Sequence, residues 1–284
     1  TGFQALFNNI DGDRNTAFGN SALLSNQAGN NGTAFGHGAM SLFNDQVSSF
    51  TNTNIAFGYE ALRGSVSPAA NDGYNNSAVG YQSLRNNSSG HQNTAMGYNS
   101  LYNNSTGNRN TAVGHLSLNE STTGSQNTAT GWISLINNTT GENNTASGAG
   151  TMQYNSTGSN NIAIGNYALS ETVAGSNATV IGYNAMSNYN NSITPFTNFN
   201  VAIGYEALQG GFAQVANNTG NWNTACGYQA LTDNSDGDYN TALGAYSLSS
   251  NFSGHHNTAV GMYALGNNSA HYNTGTGYGA GSFN

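Results

Sequence analysis

The chain has little charge, and almost none of it is positive. Only 6% of its 284 residues are charged, it has no lysine and four arginines, and its net charge is −8. Proteins that bind nucleic acids or acidic lipid surfaces need basic side chains to neutralise phosphates. We therefore expect neither kind of partner.

Cysteine and long apolar runs are also scarce. The single cysteine, Cys226, excludes an intrachain disulfide. It replaces a bulky apolar residue of the other repeats, so we predict a small buried hydrophobic side chain. No apolar run is long enough to cross a bilayer, and no signal peptide is visible. Because the chain starts and stops inside a repeat without an initiating Met, we interpret it as a piece of a longer protein, whose anchor and targeting signals are unknown.

What the chain does contain is one motif, Asn-Thr-Ala-x-Gly, repeated along its whole length. A strict repeat much shorter than a domain predicts a solenoid, in which each copy is one coil packed on its neighbours. We expect one continuous array over residues 1–284. Many intervals between motif glycines are 17 residues, and these glycines are Gly19, Gly36, Gly58, Gly80, Gly97, Gly114, Gly131, Gly148, Gly165, Gly182, Gly204, Gly227, Gly244 and Gly261.

Each copy carries short apolar stretches bounded by Gly and Asn, a pattern typical of strands rather than helices. Seventeen residues cannot hold two helices, and the turns are poor helix formers. We therefore predict an all-β protein, a parallel β-solenoid with 17-residue coils stacked at about 4.8 Å. The Asn four residues before each motif glycine suits a turn and stacked side-chain ladders; a sugar-binding array is the alternative.

Two apolar ladders run through the repeats. One is the bulky residue before the motif glycine, as in Val113, and the other is the Leu or Met four residues after it, as in Leu118. They are five positions apart, which places them on opposite faces of a straight strand. If one fills the coil, the other needs outside cover, and a closed symmetric trimer would supply it.

These residues carry a resemblance to a known family. The segments 110–114 (Asn-Thr-Ala-Val-Gly) and 161–165 (Asn-Ile-Ala-Ile-Gly) resemble the head repeats of YadA-like trimeric autotransporter adhesins. The longer form over 93–107 is similar to repeats of phage tail-fibre and bacterial surface-fibre proteins. The resemblance implies a left-handed parallel β-roll, three chains per fibre, outside the cell on a bacterial surface or a virion. The period departs from the family, because adhesin heads repeat at about 14 residues.

Four intervals between motif glycines are longer than 17 residues and predict loops that leave the solenoid, often on a binding face. The insertions are Leu42–Thr53, Arg63–Tyr74, Ser187–Phe199 and Gln209–Trp222, and both prolines, Pro68 and Pro195, lie in them. The long intervals form two adjacent pairs, which begin at Gly36 and Gly182, 146 residues apart. Their aromatic residues either contact a partner or fold back to cap local apolar surface: Phe43, Phe50, Tyr74, Tyr189, Phe196, Phe199, Phe212 and Trp222.

Other features suggest sites only weakly. The residue after the motif glycine is often aromatic, which favours packing between coils or chains, with a carbohydrate track as the alternative. Asp11-Gly-Asp13 and Asp236-Gly-Asp238 begin like calcium loops but lack the later ligands. His255-His256 has no further ligand at a useful spacing. We expect no metal, no cofactor and no catalytic residues.

The sequence thus favours a structural segment of an extracellular fibre, an adhesin or tail fibre. As a homotrimer it would set a distance and present loops to a host glycan or protein. A polysaccharide-degrading β-helix is one alternative, but acids and arginines do not cluster on adjacent copies. An ice-binding solenoid is the other, because Thr16, Thr33, Thr94, Thr111 and Thr128 form one row where a flat ice face usually has two.

Overall fold

The computed structural model describes residues 1–43, 50–66, 71–211 and 218–282. The chain divides into two compact units, Thr1–Glu142 and Asn143–Asn284. Within the described ranges there is no helix, and the regular elements are strands of two or three residues. The prediction of an all-β parallel solenoid with coils of about 17 residues is confirmed.

The first unit contains seven motif strands and one accessory pair among its described residues. The motif strands pair in parallel with identical register, so that Ala95 lies opposite Ala112. The accessory strands β2 and β4 pair with each other. The bounds are β1 (Thr16–Phe18), β2 (Gly29–Asn30), β3 (Thr33–Phe35), β4 (Phe50–Thr51), β5 (Ile55–Phe57), β6 (Ser77–Val79), β7 (Thr94–Met96), β8 (Thr111–Val113) and β9 (Thr128–Thr130).

The second unit, where described, has eight motif strands and a matching accessory pair. Ala242 lies opposite Ala259 in the motif register, and β12 pairs with β14. The bounds are β10 (Thr145–Ser147), β11 (Ile162–Ile164), β12 (Gly175–Ser176), β13 (Thr179–Ile181), β14 (Phe196–Thr197), β15 (Val201–Ile203), β16 (Thr224–Cys226), β17 (Thr241–Leu243), β18 (Thr258–Val260) and β19 (Thr274–Thr276).

The two units repeat each other at a higher level than the coil. Gly2 and Gly148 are 146 residues apart, and so are the starts of the accessory strands, Gly29 with Gly175 and Phe50 with Phe196. Both long intervals fall at the same place in each unit. The chain is therefore a tandem pair of one pattern, in which insertions belong to the repeat rather than interrupting it.

The interior of each coil is narrow and already full. Side chains alternate along a strand, so Ala112 points inward and is fully buried while Thr111 and Val113 point outward. The Leu or Met four residues after the motif glycine is also fully buried, as at Leu101 and Met186. Small residues such as Ser100 complete the filling. The two apolar ladders thus face opposite sides, and the Leu/Met ladder is the inner one.

Buried asparagines form the polar part of the interior. Asn93 Nδ2 donates to the Gly107 carbonyl at 2.9 Å, and its Oδ1 accepts the Asn110 backbone N–H at 2.9 Å. The predicted side-chain ladder is present in part of this column, where Asn127 Nδ2 donates to Asn110 Oδ1 at 3.2 Å, and bonds to backbone accompany it. A second column, seven residues after the motif glycine, also forms such pairs, since Asn104 Nδ2 donates to Asn87 Oδ1 at 2.7 Å.

Backbone geometry explains the motif glycine. Gly97 has φ +139°, and a Cβ on it would collide with the carbonyl oxygen of Gly114 on the next coil. Leu101 has φ 51°, a left-handed conformation that bulky side chains avoid. Such strain persists only where the surroundings hold it, and here full burial of the side chain and the Leu101 N–H bond to the Ser117 carbonyl do so.

Candidate association surface and insertion loops

An apolar column lies on the outer face of the motif strands. It consists of the residue before the motif glycine in most copies, with polar residues at Thr130, Ser147 and Thr276, and Phe57 is the most exposed of its large apolar members at 53%. At such exposures each side chain leaves roughly 60–100 Å² outside the coil, so each unit shows several hundred Å² of apolar surface, enough to mark an association site. The exposed members are Phe18, Phe35, Phe57, Val79 and Met96 in the first unit, and Ile164, Ile181, Ile203, Leu243 and Val260 in the second.

A second outward column, two residues earlier on each strand, is mostly threonine. Thr33 pairs with Ile55 and Thr94 with Thr111 in the strand register. Ile55 and Ile162 break the row and are themselves exposed. The strand face therefore presents one Thr column beside one apolar column, and not the two Thr columns that a flat ice-binding face usually has.

Cys226 belongs to the outward apolar column and is exposed. The prediction that it is buried was wrong. The reason is its phase in the strand: Ala225 takes the inward position, so its neighbours Thr224 and Cys226 must point outward. Cys226 does replace an apolar residue of this column, as predicted, but the column lies on the outside of the coil.

Two of the insertion aromatics turn inward, in line with the alternative that they fold back onto their own coil. Phe43 and Tyr189 are buried at 0% and 1% exposure. Each takes the place seven residues after a motif glycine, where regular coils carry the buried Asn104 or its equivalents. Tyr189 Oη accepts a hydrogen bond from Asn200 Nδ2 at 3.1 Å. Burial raises the pKa of the Tyr189 hydroxyl above its usual value, and the Asn200 bond only partly opposes this.

Four other insertion aromatics pack against their own unit. Phe196 lies in β14, against Gly175 of β12. Phe199 stacks on Trp222 with ring centroids 4.2 Å apart, and Tyr74 stacks on His91 at 4.9 Å. Phe199, Trp222 and Tyr74 keep an exposed edge. For Phe50 the structure describes only the backbone, which is part of β4. Phe212 lies wholly outside the described part of the chain.

Aliphatic residues at the insertions were missed by sequence reasoning. Ile193 is 82% exposed between Ser192 and Thr194, whose hydroxyls are 2.7 Å apart. Val66 is comparably exposed in the insertion that follows Arg63. The signal was present in the sequence, since each is an apolar residue within a polar insertion, but only the aromatic side chains were predicted as contact residues. The insertions therefore present isolated aliphatic groups as well as ring edges.

The aromatic residues after the motif glycines stack on one another along each unit. Tyr59 and Tyr81 have ring centroids 5.1 Å apart, Tyr81 and Tyr98 5.2 Å, with planes within 8°. Tyr205 stacks on Tyr228 at 5.0 Å in the second unit. Neighbouring rings cover the ring faces, and a sugar stacks on a face rather than on an edge. The packing interpretation of this column is supported over the carbohydrate track.

Charged side chains gather in one network near an insertion of the first unit. Glu60 accepts from Arg85 Nε at 2.6 Å and from Gln82 Nε2 at 2.7 Å, and Arg63 lies 3.6 Å away. Partial burial favours the neutral form of Glu60. The Arg85 and Gln82 bonds, with the charges of Arg85 and Arg63, outweigh it and lower the pKa of Glu60 below its ordinary value.

The metal-like motifs have local partners. Asp238 Oδ1 accepts the Asn221 N–H at 2.6 Å, and His255 Nδ1 accepts the Asp238 N–H at 2.9 Å. In the part of the chain that the structure describes, no three His, Cys, Asp or Glu side chains converge as a metal site would require. The described residues also include no helix of the length and apolarity needed to cross a membrane.

Comparison of the chain with protein-family models, with curated proteins and with solved structures found no match.

Proposed function

We propose that this chain is a structural segment of an extracellular fibre, on a bacterial surface or a virion, that assembles with copies of itself as a homotrimer. The observation that carries the proposal is the outward apolar column. The coil interior is filled by Ala112, Leu118 and their equivalents, so the column of Val113 needs cover from outside the coil. Copies arranged around a common axis bring their equivalent columns together, and closed symmetry buries the column on every copy.

Residue chemistry and sequence pattern support a fibre rather than an enzyme. The cluster of Glu60, Arg63 and Arg85 holds one carboxylate, already bonded on Oε2, whereas glycoside cleavage usually needs two. The resemblance of the repeats to adhesin heads and tail fibres supports three chains and an extracellular location. In this function the coils set a distance, and the insertions meet a host glycan or protein.

Mass in solution tests the assembly directly. We expect sedimentation equilibrium of the whole chain to give three times the 29.4 kDa of one copy. Replacing Ile181 and Ile203 together by Glu should yield folded monomers, because both side chains point outward. Thr106→Glu with Thr157→Glu, at exposed turn positions of the same type, is the matched control and should leave the trimer intact. A folded wild-type monomer at micromolar concentration would overturn the proposal.

Cys226 reports which face is covered. With one cysteine per chain, any disulfide must join two copies. If the outward column faces a symmetry axis, mild oxidation of the assembled protein should give covalent dimers, and Cys226→Ser should give none. A trimer that never cross-links through Cys226 while free thiol persists would place the interface on another face.

Loop presentation has its own test. The segment 191–195 can be shortened without touching buried Tyr189 or β14, which are parts of the coil. We expect this variant to stay trimeric and to lose attachment on a panel of bacterial cells and a glycan array. The single substitution Ile193→Ser should weaken this attachment. Undiminished attachment would make the second unit a spacer.

A further inference from the structure

Each unit carries a short column of tyrosines with the phenol groups exposed. In the first unit it is Tyr59, Tyr81 and Tyr98, and in the second it is Tyr183, Tyr205 and Tyr228. The ring centroids are 5.0–5.4 Å apart within each column, with planes within 11°. These distances follow the spacing of the coils, since each ring stands at the same place on its coil.

Such columns hold reactive ring carbons side by side. In two parallel phenol rings at this separation, the carbons next to each hydroxyl group lie close to the equivalent carbons of the neighbour. Each ring is attached at its inner end and is exposed outside, so a modest side-chain rotation can bring two such carbons together. Their environment differs from that of an isolated surface tyrosine in proximity alone, because exposure is the same: Tyr81 is 44% exposed and Tyr154, outside the column, is 43%.

We infer that the two tyrosine columns are sites of oxidative cross-linking, at which neighbouring coils become joined by dityrosine bonds. A one-electron oxidant, such as a haem peroxidase fed with hydrogen peroxide, removes one electron and one proton from each phenol. The two radicals form a carbon–carbon bond between their ring carbons next to oxygen and then regain aromaticity by tautomerisation. One peroxide is reduced to two waters for each bond formed, so two hydrogens leave the protein.

The bond would tie together residues far apart in sequence. Tyr59 and Tyr81 are 22 residues apart and Tyr81 and Tyr98 are 17, so each cross-link closes a loop of about one coil. Closing such loops restricts the unfolded chain and stabilises the folded one. The chain has no lysine and one cysteine, so tyrosine is its means of making a covalent link between coils. This inference does not depend on the trimer.

Treatment of the intact protein with horseradish peroxidase and hydrogen peroxide tests the inference. We expect dityrosine fluorescence, a loss of two hydrogens per cross-link by mass spectrometry, and peptides joined at Tyr59–Tyr81, Tyr81–Tyr98 or their second-unit equivalents. Joined peptides should come from one chain, with a yield independent of protein concentration. The cross-linked protein should melt at a higher temperature.

Matched variants separate the column from general tyrosine reactivity. Tyr81→Phe keeps the middle ring of the first column but removes the hydroxyl group needed to form a phenoxyl radical, and should abolish its cross-links while leaving those of Tyr205. Tyr154→Phe, at equal exposure, should change nothing. Protein oxidised in denaturant should lose the preference for column pairs. Cross-links at Tyr154 as frequent as at Tyr81 in the folded protein, or links only between chains, would overturn the inference.

Discussion

The two units share a backbone pattern and differ in what fills and covers it. At the first insertion of each, the interior position holds Phe43 in one unit and Tyr189 in the other, where regular coils carry a buried Asn. Both are large rings, and both precede an accessory strand that pairs with the coil before it. The insertion therefore needs volume inside the coil, and the hydroxyl of Tyr189 is an addition that Asn200 accommodates.

The outer surfaces of the units have diverged further. The outward column is aromatic at Phe18, Phe35 and Phe57 in the first unit, and aliphatic at the equivalent Ile164, Ile181 and Ile203 in the second. Glu60 binds Arg85, whereas the equivalent Glu206 accepts from Gln229 and has a threonine, Thr232, in place of that arginine. The comparison shows that stacking constrains inward and turn positions more than outward ones, where phenyl rings, aliphatic side chains and polar residues such as Thr130 and Ser147 replace one another.

The strongest test of the shared pattern is the motif glycine. Gly97→Ala and Gly244→Ala, at equivalent places in the two units, should each destabilise by about 3–5 kcal/mol. In both, a Cβ would meet the next coil's backbone at a positive φ. Thermal unfolding with hydrogen exchange would measure the loss and its local spread. Gly266→Ala, where the nearest atom to a Cβ is 3.4 Å away, should be nearly neutral. Equal tolerance at all three sites would contradict the stacking explanation.

The second-largest expected difference in stability between the units comes from the charge network around Glu60. Glu60→Gln should cost about 1–2 kcal/mol at neutral pH, because it weakens bonds to Arg85. Since the folded-state pKa of Glu60 lies below the ordinary 4.5, its stabilisation is present above pH 4.5 and is lost as the pH falls through the lower folded value. Denaturant unfolding between pH 7 and 3 should show wild type and variant converging. Glu206→Gln, with no guanidinium bound to its carboxylate among the described residues, should cost less.

The smallest expected difference in stability between the units comes from the interior rings, Phe43 and Tyr189. Tyr189→Phe should destabilise by about 1 kcal/mol, because it removes one hydrogen bond and leaves the volume unchanged. Phe43→Tyr adds a hydroxyl to a fully buried ring and should also destabilise, because burying a hydroxyl costs free energy unless it gains a hydrogen bond. Chemical denaturation of each variant, and of the double variant Phe43→Tyr with Tyr189→Phe, would measure both changes in stability. A stabilising Phe43→Tyr would mean that the two interiors are interchangeable.

Much of this fold could be read from the repeats. Apolar residues at fixed places in a 17-residue period indicated the strands, and the spacing between Val113 and Leu118 indicated that the two ladders face opposite ways. The prediction that Cys226 is buried was wrong because the 17-residue period does not say which of the two ladders faces the coil interior. That depends on the backbone direction at the motif glycine and at Leu118, whose left-handed φ of 50° no propensity would predict.

The insertion sites were harder still. From the sequence, Phe43 and Tyr189 look the same as Phe199 and Trp222, since all are aromatic residues in polar insertions. Only the coil register shows that the first two fall on the buried Asn position and the others on an outer stack. Ile193 was overlooked because the exposure of one aliphatic residue follows from where its loop leaves the coil.

The sequence by itself determined the period, the parallel stacking and the places of the insertions, because stacked coils demand the same residue type at every equivalent position. The tertiary structure decided which side chains face inward, that the buried asparagines also bind backbone, and that the tyrosine rings stack on one another. Those outcomes depend on contacts between residues 17 to 23 positions apart, and they arise only once the next coil is in place.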